Sequence, residues 1–322
     1  MIPETSVSIG SVRLRHAVMT AAGTSGHGAE LSSYGSLGSL GAVVVKSLAN
    51  FEWPGNPAPR LHPLDSGMLN AVGLQGPGIA AWMDRDLPAL AKSQASVVIS
   101  IWGQSLDDYA QATEAVRQGL QTSPHGQNVI AVEVNLSCPN LKGHGIIAHD
   151  QELSVQIIKA CESVGRPVWA KLSPNTDRLV EIAGAVHQAG AEAVTLINTV
   201  TGMALDPKTG LSVLGNGGAG GVSGPVIHPM AVKAIFDVRK AWPNLPIVGV
   251  GGVRSGWDAA ELLLAGAQAV QVGTATLANP RAVFKIARQL EKWAASHGFT
   301  ALSAFSGLAH RGGIHPSAPP RG

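Results

Sequence analysis

Two cysteines in 322 residues, Cys138 and Cys161, leave no disulfide framework and no CxxC cluster, which fits a reducing cytosol. Charge of one sign is also lacking. A net charge of +2 gives no electrostatic case for nucleic acid. No stretch reaches the length of a membrane span without charges or prolines, so no membrane association is expected. Met1 to Ile9 carries no basic region followed by a long apolar run, so no signal peptide is expected and a cytoplasmic location is. No GxGxxG follows the first strand-like run, and no GK[ST] follows the glycine-rich stretch around Gly215 to Gly221. Neither the dinucleotide fingerprint nor the phosphate loop is present. What the chain does have is 45% hydrophobic residues, 39 glycines and 20 prolines: enough for a large core joined by many tight connections.

Apolar runs of strand length recur with helical patterns between them. Strands are expected at Ala17 to Ala22, Ala42 to Val45, Val97 to Ile101, Val129 to Val134, Pro167 to Lys171, Ala193 to Ile197, Ile247 to Val250 and Ala269 to Val272. Helices are expected at Leu106 to Leu120, Asp150 to Val164, Asp177 to Ala189, Pro225 to Ala241 and Pro280 to about His297. Eight such units predict an α/β protein built as a single (β/α)8 TIM barrel. Val7 to Leu14, alternating around Gly10-Ser11, reads as an N-terminal β-hairpin plugging the bottom. Gly202 to Gly224 reads as an insertion after strand 6. Residues 1–300 are expected to form the barrel and residues 301–322 a C-terminal tail. Its end, Ala309 to Gly322, is rich in Pro, Gly and Arg and is expected to be disordered.

Barrels of this kind place their chemistry at the C-terminal ends of the strands. The fourth strand runs into Asn135-Leu136-Ser137-Cys138-Pro139-Asn140, a cysteine flanked by carboxamides that are costly to bury without partners. Cys161, in an amphipathic helical pattern without polar company, reads as core. Lys46-Ser47 end the second strand. There a lysine is a Schiff-base amine, an anion clamp or a solvated surface residue, and the residues alone leave the three open. Gly67 to Leu74, with Asn70 and two glycines, reads as a loop offering backbone N–H groups to a ligand. Lys171 ends the fifth strand and Asn198-Thr199 follow the sixth. Gly251-Gly252 and Gly273-Thr274 end the seventh and eighth, where such barrels bind phosphate through N–H groups, though glycines at barrel turns also serve packing alone and the residues leave both open. Ala21 to Gly26 is either a plain turn or a stretch small enough for a flat ligand to approach the backbone closely, and the residues alone leave the two open.

Taken together these residues resemble class 1 dihydroorotate dehydrogenases, most of all the class 1B catalytic subunit, from Val7 to about Leu290. The carriers are Met19-Thr20-Ala21-Ala22-Gly23-Thr24, Gly55-Asn56-Pro57, Ser66-Gly67-Met68-Leu69-Asn70 and the stretch from Asn135 to Asn140. Lys171 to Asn175, Leu196 to Thr199, Gly221 to Pro225 and Val272-Gly273-Thr274 follow in family order. Cys138 in place of serine, and the absence of an N-terminal membrane helix pair, separate the chain from class 2. The stretch from Asn216 to Gly224 looks more like the NAD-linked 1B subunit than the fumarate-linked 1A homodimer.

The resemblance implies FMN across the mouth and oxidation of dihydroorotate to orotate in pyrimidine biosynthesis. It implies the phosphate on Gly251, Gly252, Gly273 and Thr274 with Gly224 nearby, and Ala22, Gly23, Lys46, Ser47, Ser100, Asn135 and Ile197 also about the flavin. Lys171 would sit near flavin N1/O2, where a positive charge stabilises the reduced, anionic flavin. Lys46, Asn70, Ala71, Val72, Gly73, Leu74, Asn135, Asn140, Asn198 and Thr199 would hold the substrate, carboxamides suiting a cyclic imide because each offers a donor and an acceptor. Cys138 would take the C5 proton as hydride leaves C6. No metal is implied in this chain. FAD and a [2Fe-2S] cluster are implied on an electron-transfer partner, in a heterotetramer of two catalytic and two partner chains about a homodimer core. In the third strand Ser100 and Trp102 depart from the family, which usually has Asn and a smaller residue there. Three rivals remain: a 1A enzyme or a relative acting on another dihydropyrimidine; a non-catalytic flavin-binding barrel; and a Schiff-base aldolase, which lacks companion carboxylates.

Overall fold

The computed structural model describes residues 2–137, 139–140 and 145–314. Its centre is a sheet of eight parallel strands: β1 (Val18–Thr20), β2 (Val43–Val44), β3 (Val97–Ile101), β4 (Val129–Asn135), β5 (Val168–Lys171), β6 (Ala193–Leu196), β7 (Ile247–Val250) and β8 (Ala269–Val272). From β2 to β8 each pairs with its neighbour in chain order, and β8 returns to β1. The ring closes between β1 and β2 through two backbone hydrogen bonds, Thr20 N–H to the Ala42 carbonyl (3.2 Å) and Gly41 N–H to the Val18 carbonyl (2.8 Å). The Thr20 hydroxyl adds a third link by accepting from Val44 N–H at 2.9 Å. This is the α/β TIM barrel that the apolar runs predict.

Strand ends lie within a few residues of the expected positions, as apolar content fixes them. Helices Leu106–Thr122, Gln151–Cys161, Leu179–Gln188, His228–Ala241 and Ala282–Ser296 occupy the expected spans. Two of them begin at side-chain caps, Ser105 accepting from Asp108 N–H and Asp150 from Leu153 N–H. Helix Gly256–Ala265, between β7 and β8, was not anticipated. It starts in a capping box, Ser255 and Asp258 each accepting from the other's backbone.

The strands bury both faces. Val and Ile side chains meet the helices outside, while the inside of the barrel is partly polar. Glu133 on β4 accepts from Thr195 Oγ1 on β6 (2.9 Å) and Gln271 Nε2 on β8 (2.7 Å), so three strands converge on one fully buried carboxylate. Val7–Ile9 and Val12–Leu14 form an antiparallel pair with Ile9 and Leu14 fully buried. At the other end of the chain Leu302 and Phe305 are buried and His310 stacks on Phe236, so packing continues beyond residue 300. Of the expected tail, 301–322, residues 315–322 lie outside the described residues, while Leu308–Arg311, at the start of the end expected to be disordered, forms a short 3-10 helix.

One expectation is corrected. Gly67 to Asn70 is a strand, not a loop: it pairs with Leu61–Leu64 on one side and Gly220–Ser223 on the other, and Val200–Gly202 adds a fourth strand. This small antiparallel sheet joins the excursion after β2 to the insertion after β6. Its partners lie some 150 residues apart and are rich in glycine, so no local pattern announces them.

Candidate active site

A cavity of about 670 Å³ opens at the C-terminal ends of the strands, beneath the small sheet. Its walls come from every part of the barrel: Ala22 and Gly23 after β1, Lys46 and Ser47 after β2, Asn135 at the end of β4 and Lys171 at the end of β5. Ile197, Asn198 and Thr199 follow β6, Gly251 and Gly252 follow β7, and Gly273 and Thr274 follow β8. Asn70, Ala71, Val72, Gly73, Leu74 and Gly224 descend from the small sheet and its connections. All of these were singled out in the sequence, and they face one volume.

Ser100 is the exception. It is fully buried behind the wall, and its hydroxyl pairs with Ser47 Oγ at 2.8 Å. It therefore supports Ser47 instead of facing the cavity. Cys138 lies outside the described residues. Pro139–Asn140 forms a two-residue strand paired antiparallel with Gly145–Ile146, and the Asn140 side chain lies outside what is described.

The carboxamides are fastened to one another. Asn198 Nδ2 donates to Asn135 Oδ1 (3.2 Å), which also accepts from Ser137 N–H (3.2 Å), and Asn135 Nδ2 approaches Ser47 Oγ at 3.4 Å. From the helix behind, Tyr109 OH donates to the Asn135 carbonyl at 2.7 Å. Asn70 Nδ2 donates to the Gly221 carbonyl, leaving its Oδ1 as the acceptor available to a ligand. Ser137 Oγ is buried with no hydrogen-bond partner among the described residues, one position before Cys138.

Two lysines bring positive charge. Lys171, almost fully buried at the floor, lies 3.8 Å from Glu133 Oε1. Lys46 is half-buried, and its pKa is lowered first by burial and then by the nearby Arg60 cation. His27, behind Lys46, is pushed down by burial and by the Lys46 charge, so it is neutral at pH 7.

Several wall residues had been given no role. Trp53 Nε1 donates to the Gly73 carbonyl (2.9 Å), and Trp53, Phe51 and Trp102 meet edge to face with centroids 5.9–6.2 Å apart. Trp102, the departure noted in the sequence, is thus one corner of an aromatic brace that carries the Ala71–Leu74 segment. Asn175 donates to the Thr199 carbonyl (3.1 Å) and accepts from Thr201 N–H (2.8 Å), fixing the connection after β6. Only the contacts themselves show these roles.

The glycine end of the cavity suits a phosphate. Among the described residues, the N–H groups of Gly252, Gly273 and Thr274 donate to no protein acceptor. His228 Nδ1 holds the Gly251 carbonyl at 2.7 Å, turning the strand end. Gly252 has φ +68°, and a Cβ there would come within 2.6 Å of His228 Cβ and 2.9 Å of the Gly224 carbonyl oxygen. Unpaired N–H groups that no side chain can cover form an anion cradle. The groups needed for a phosphate-bearing planar ligand are present.

Fold and site define a barrel enzyme whose mouth pairs an anion cradle with a lysine- and carboxamide-lined pocket. The comparisons narrow the class: the family model described as dihydroorotate dehydrogenase matches residues 5–293, and the chain belongs to that family. Among its relatives are proteins named dihydroorotate dehydrogenase B (NAD(+)), catalytic subunit. That of Trichlorobacter lovleyi is 42% identical over 309 residues, covering 95% of this chain and 99% of the relative. That of Geobacter sp. (strain M21) is 40% identical over 307 residues, 95% and 98%. That of Desulforudis audaxviator is 40% identical over 312 residues, 96% and 99%. No helix among the described residues is long and apolar enough to cross a membrane.

Proposed function

We propose that this protein oxidises dihydroorotate to orotate in pyrimidine biosynthesis, with FMN in the mouth of the barrel and NAD as the eventual acceptor. The observation that carries the reading is the meeting, in one cavity, of Lys46, Lys171 and the linked carboxamides with the unpaired N–H groups after β7 and β8. Gly251, Gly252, Gly273 and Thr274 hold the FMN phosphate, and Ala22, Gly23, Ser47, Gly224 and Ile197 leave room for the rest. When bound, FMN supplies the acceptor for the hydride that leaves substrate C6.

The chain's own residues do the remainder. Lys46 receives the substrate carboxylate, and its partial burial strengthens that pairing over one made in water. Asn70, Asn135, Asn140, Asn198 and Thr199 read the imide edge, Asn70 through its Oδ1 and Asn135 and Asn198 through the N–H and lone pairs that their bonds to each other leave. Because Asn135 and Asn198 are already bonded to each other, their orientation is set before substrate arrives. Cys138 takes the C5 proton. An ordinary thiol, of pKa about 8.5, is mostly protonated at pH 7, so turnover rises toward alkaline pH. Ser137 and Asn140 supply polar groups beside it in the chain.

Electrons leave through a second subunit carrying FAD and a [2Fe-2S] cluster, in a heterotetramer of two catalytic and two partner chains about a homodimer core. The word "catalytic subunit" in the relatives' names supports a divided enzyme.

The test is Cys138→Ala. Loss of the base should lower kcat about 10²–10⁴-fold. Orotate should still perturb the flavin spectrum with near-normal affinity. A variant that turns over within a few-fold of the wild type removes Cys138 from the mechanism.

A further inference from the structure

Glu133 has no role in the reading above, and its surroundings are too specific for filler. It sits inside the barrel, fully buried, on the same strand as Asn135 and two residues before it. One carboxylate oxygen, Oε2, is taken by Thr195 Oγ1 and Gln271 Nε2, two neutral donors arriving from β6 and β8. The other, Oε1, makes no hydrogen bond among the described residues and lies 3.8 Å from Lys171 Nζ. The carboxylate is thus clamped on one side and aimed at the ammonium on the other. Lys171 in turn lines the cavity floor. Among the described residues no other ion pair reaches either group. An apolar side chain of similar size would be cheaper at such a depth than a charge with two dedicated donors.

We propose that Glu133 is the positioning counter-ion of Lys171, holding the ammonium at the cavity floor and setting the net charge presented to the flavin. The tuning half of this inference rests on the proposed placement of FMN in the mouth, whereas the pairing half stands without it. A lone ammonium buried at the floor would be free to retreat or to draw in water. Paired, it stays put and offers part of its charge. Taking the negative charge away leaves Lys171 uncompensated. The site then favours the electron-rich form of the bound flavin more strongly, and the flavin's midpoint potential moves positive.

The experiment is a double-mutant cycle on the full chain, Lys171→Met, Glu133→Gln and the two together, read by thermal unfolding without substrate. Lys171→Met strands a buried carboxylate and should lower the melting temperature most, and adding Glu133→Gln should restore part of the loss. Strictly additive losses, or a double variant less stable than Lys171→Met, would overturn the pairing. The second readout is the flavin midpoint potential of Glu133→Gln as purified. A positive shift relative to the wild type is expected, since a merely structural carboxylate would not move it in that direction. An unchanged or more negative potential overturns the tuning, as does a protein that holds no flavin. Coupling and shift in a protein indifferent to dihydroorotate would uphold Glu133 and refute the substrate. Bleaching by dihydroorotate without coupling would do the reverse.

Discussion

Lys46 carries a testable consequence of its own burial. Its pKa lies below the ordinary 10.5 because burial disfavours the charged form and Arg60 adds repulsion. The unfolded chain therefore holds this proton to higher pH than the folded one. The cost of burying the charge is present below the lowered pKa and is relieved as pH rises through it, so this group's contribution to stability increases across that window. Substrate binding runs the other way. KM for dihydroorotate should climb in the alkaline range before pH 10.5, while kcat rises with the Cys138 thiolate. Arg60→Gln, by removing the second cause, should move the rise in KM to higher pH. A KM flat to pH 10.5 would separate Lys46 from the substrate carboxylate. The second thiol behaves differently: Cys161 is fully buried in helix Gln151–Cys161, and burial pushes its pKa to about 11. Thiol reagents should modify Cys138 in the native protein and leave Cys161 untouched until the chain unfolds. Mass mapping after brief alkylation reads this directly.

Among the elements, those fixed by local pattern were legible and those fixed by distant pairing were not. β3, β7 and β8 fall on the expected residues because a buried parallel strand reads as a mostly apolar run, even where Ser100 and Gln271 interrupt it. Gly67–Asn70 carries two polar or flexible positions in four and depends on Gly220–Ser223 for its ladder, so its strand character resides in the partner. The site followed the same division. Residues at strand ends were legible because topology alone brings eight such ends to one mouth. Trp53, Trp102 and Asn175 were not, since their roles are contacts between loops. Those contacts predict that Trp53→Phe, which keeps the ring packing and loses the bond to the Gly73 carbonyl, raises KM several-fold with little change in kcat. Equal losses in both would mean that the brace shapes the transition state as well. The glycine ends make a sharper prediction. Gly252→Ala puts a Cβ against His228 and the Gly224 carbonyl at positive φ, so the purified variant should hold much less FMN than the wild type, measured by flavin absorbance per chain. Full occupancy would place the phosphate elsewhere. In helix Gly256–Ala265, Ser255→Ala breaks the capping box and should cost about 1 kcal/mol in chemical unfolding without affecting turnover.

At the scale of the whole molecule, a barrel closed on all sides provides one rigid mouth, and the small sheet that bridges residues 61–70 and 200–223 roofs it. The side chains that line the cavity are thereby concentrated at one end. An NAD-linked catalytic chain of this kind should accept electrons from its substrate and be unable by itself to pass them on to NAD. The most direct measurement is anaerobic addition of dihydroorotate to the purified chain while the flavin absorbance is followed, with fumarate and then NAD offered afterwards. Dihydroorotate should bleach the flavin, and the colour should return with NAD only once a subunit carrying FAD and [2Fe-2S] is added. Rapid recovery with fumarate alone would contradict the NAD-linked assignment, and a yellow protein indifferent to dihydroorotate would contradict the substrate itself.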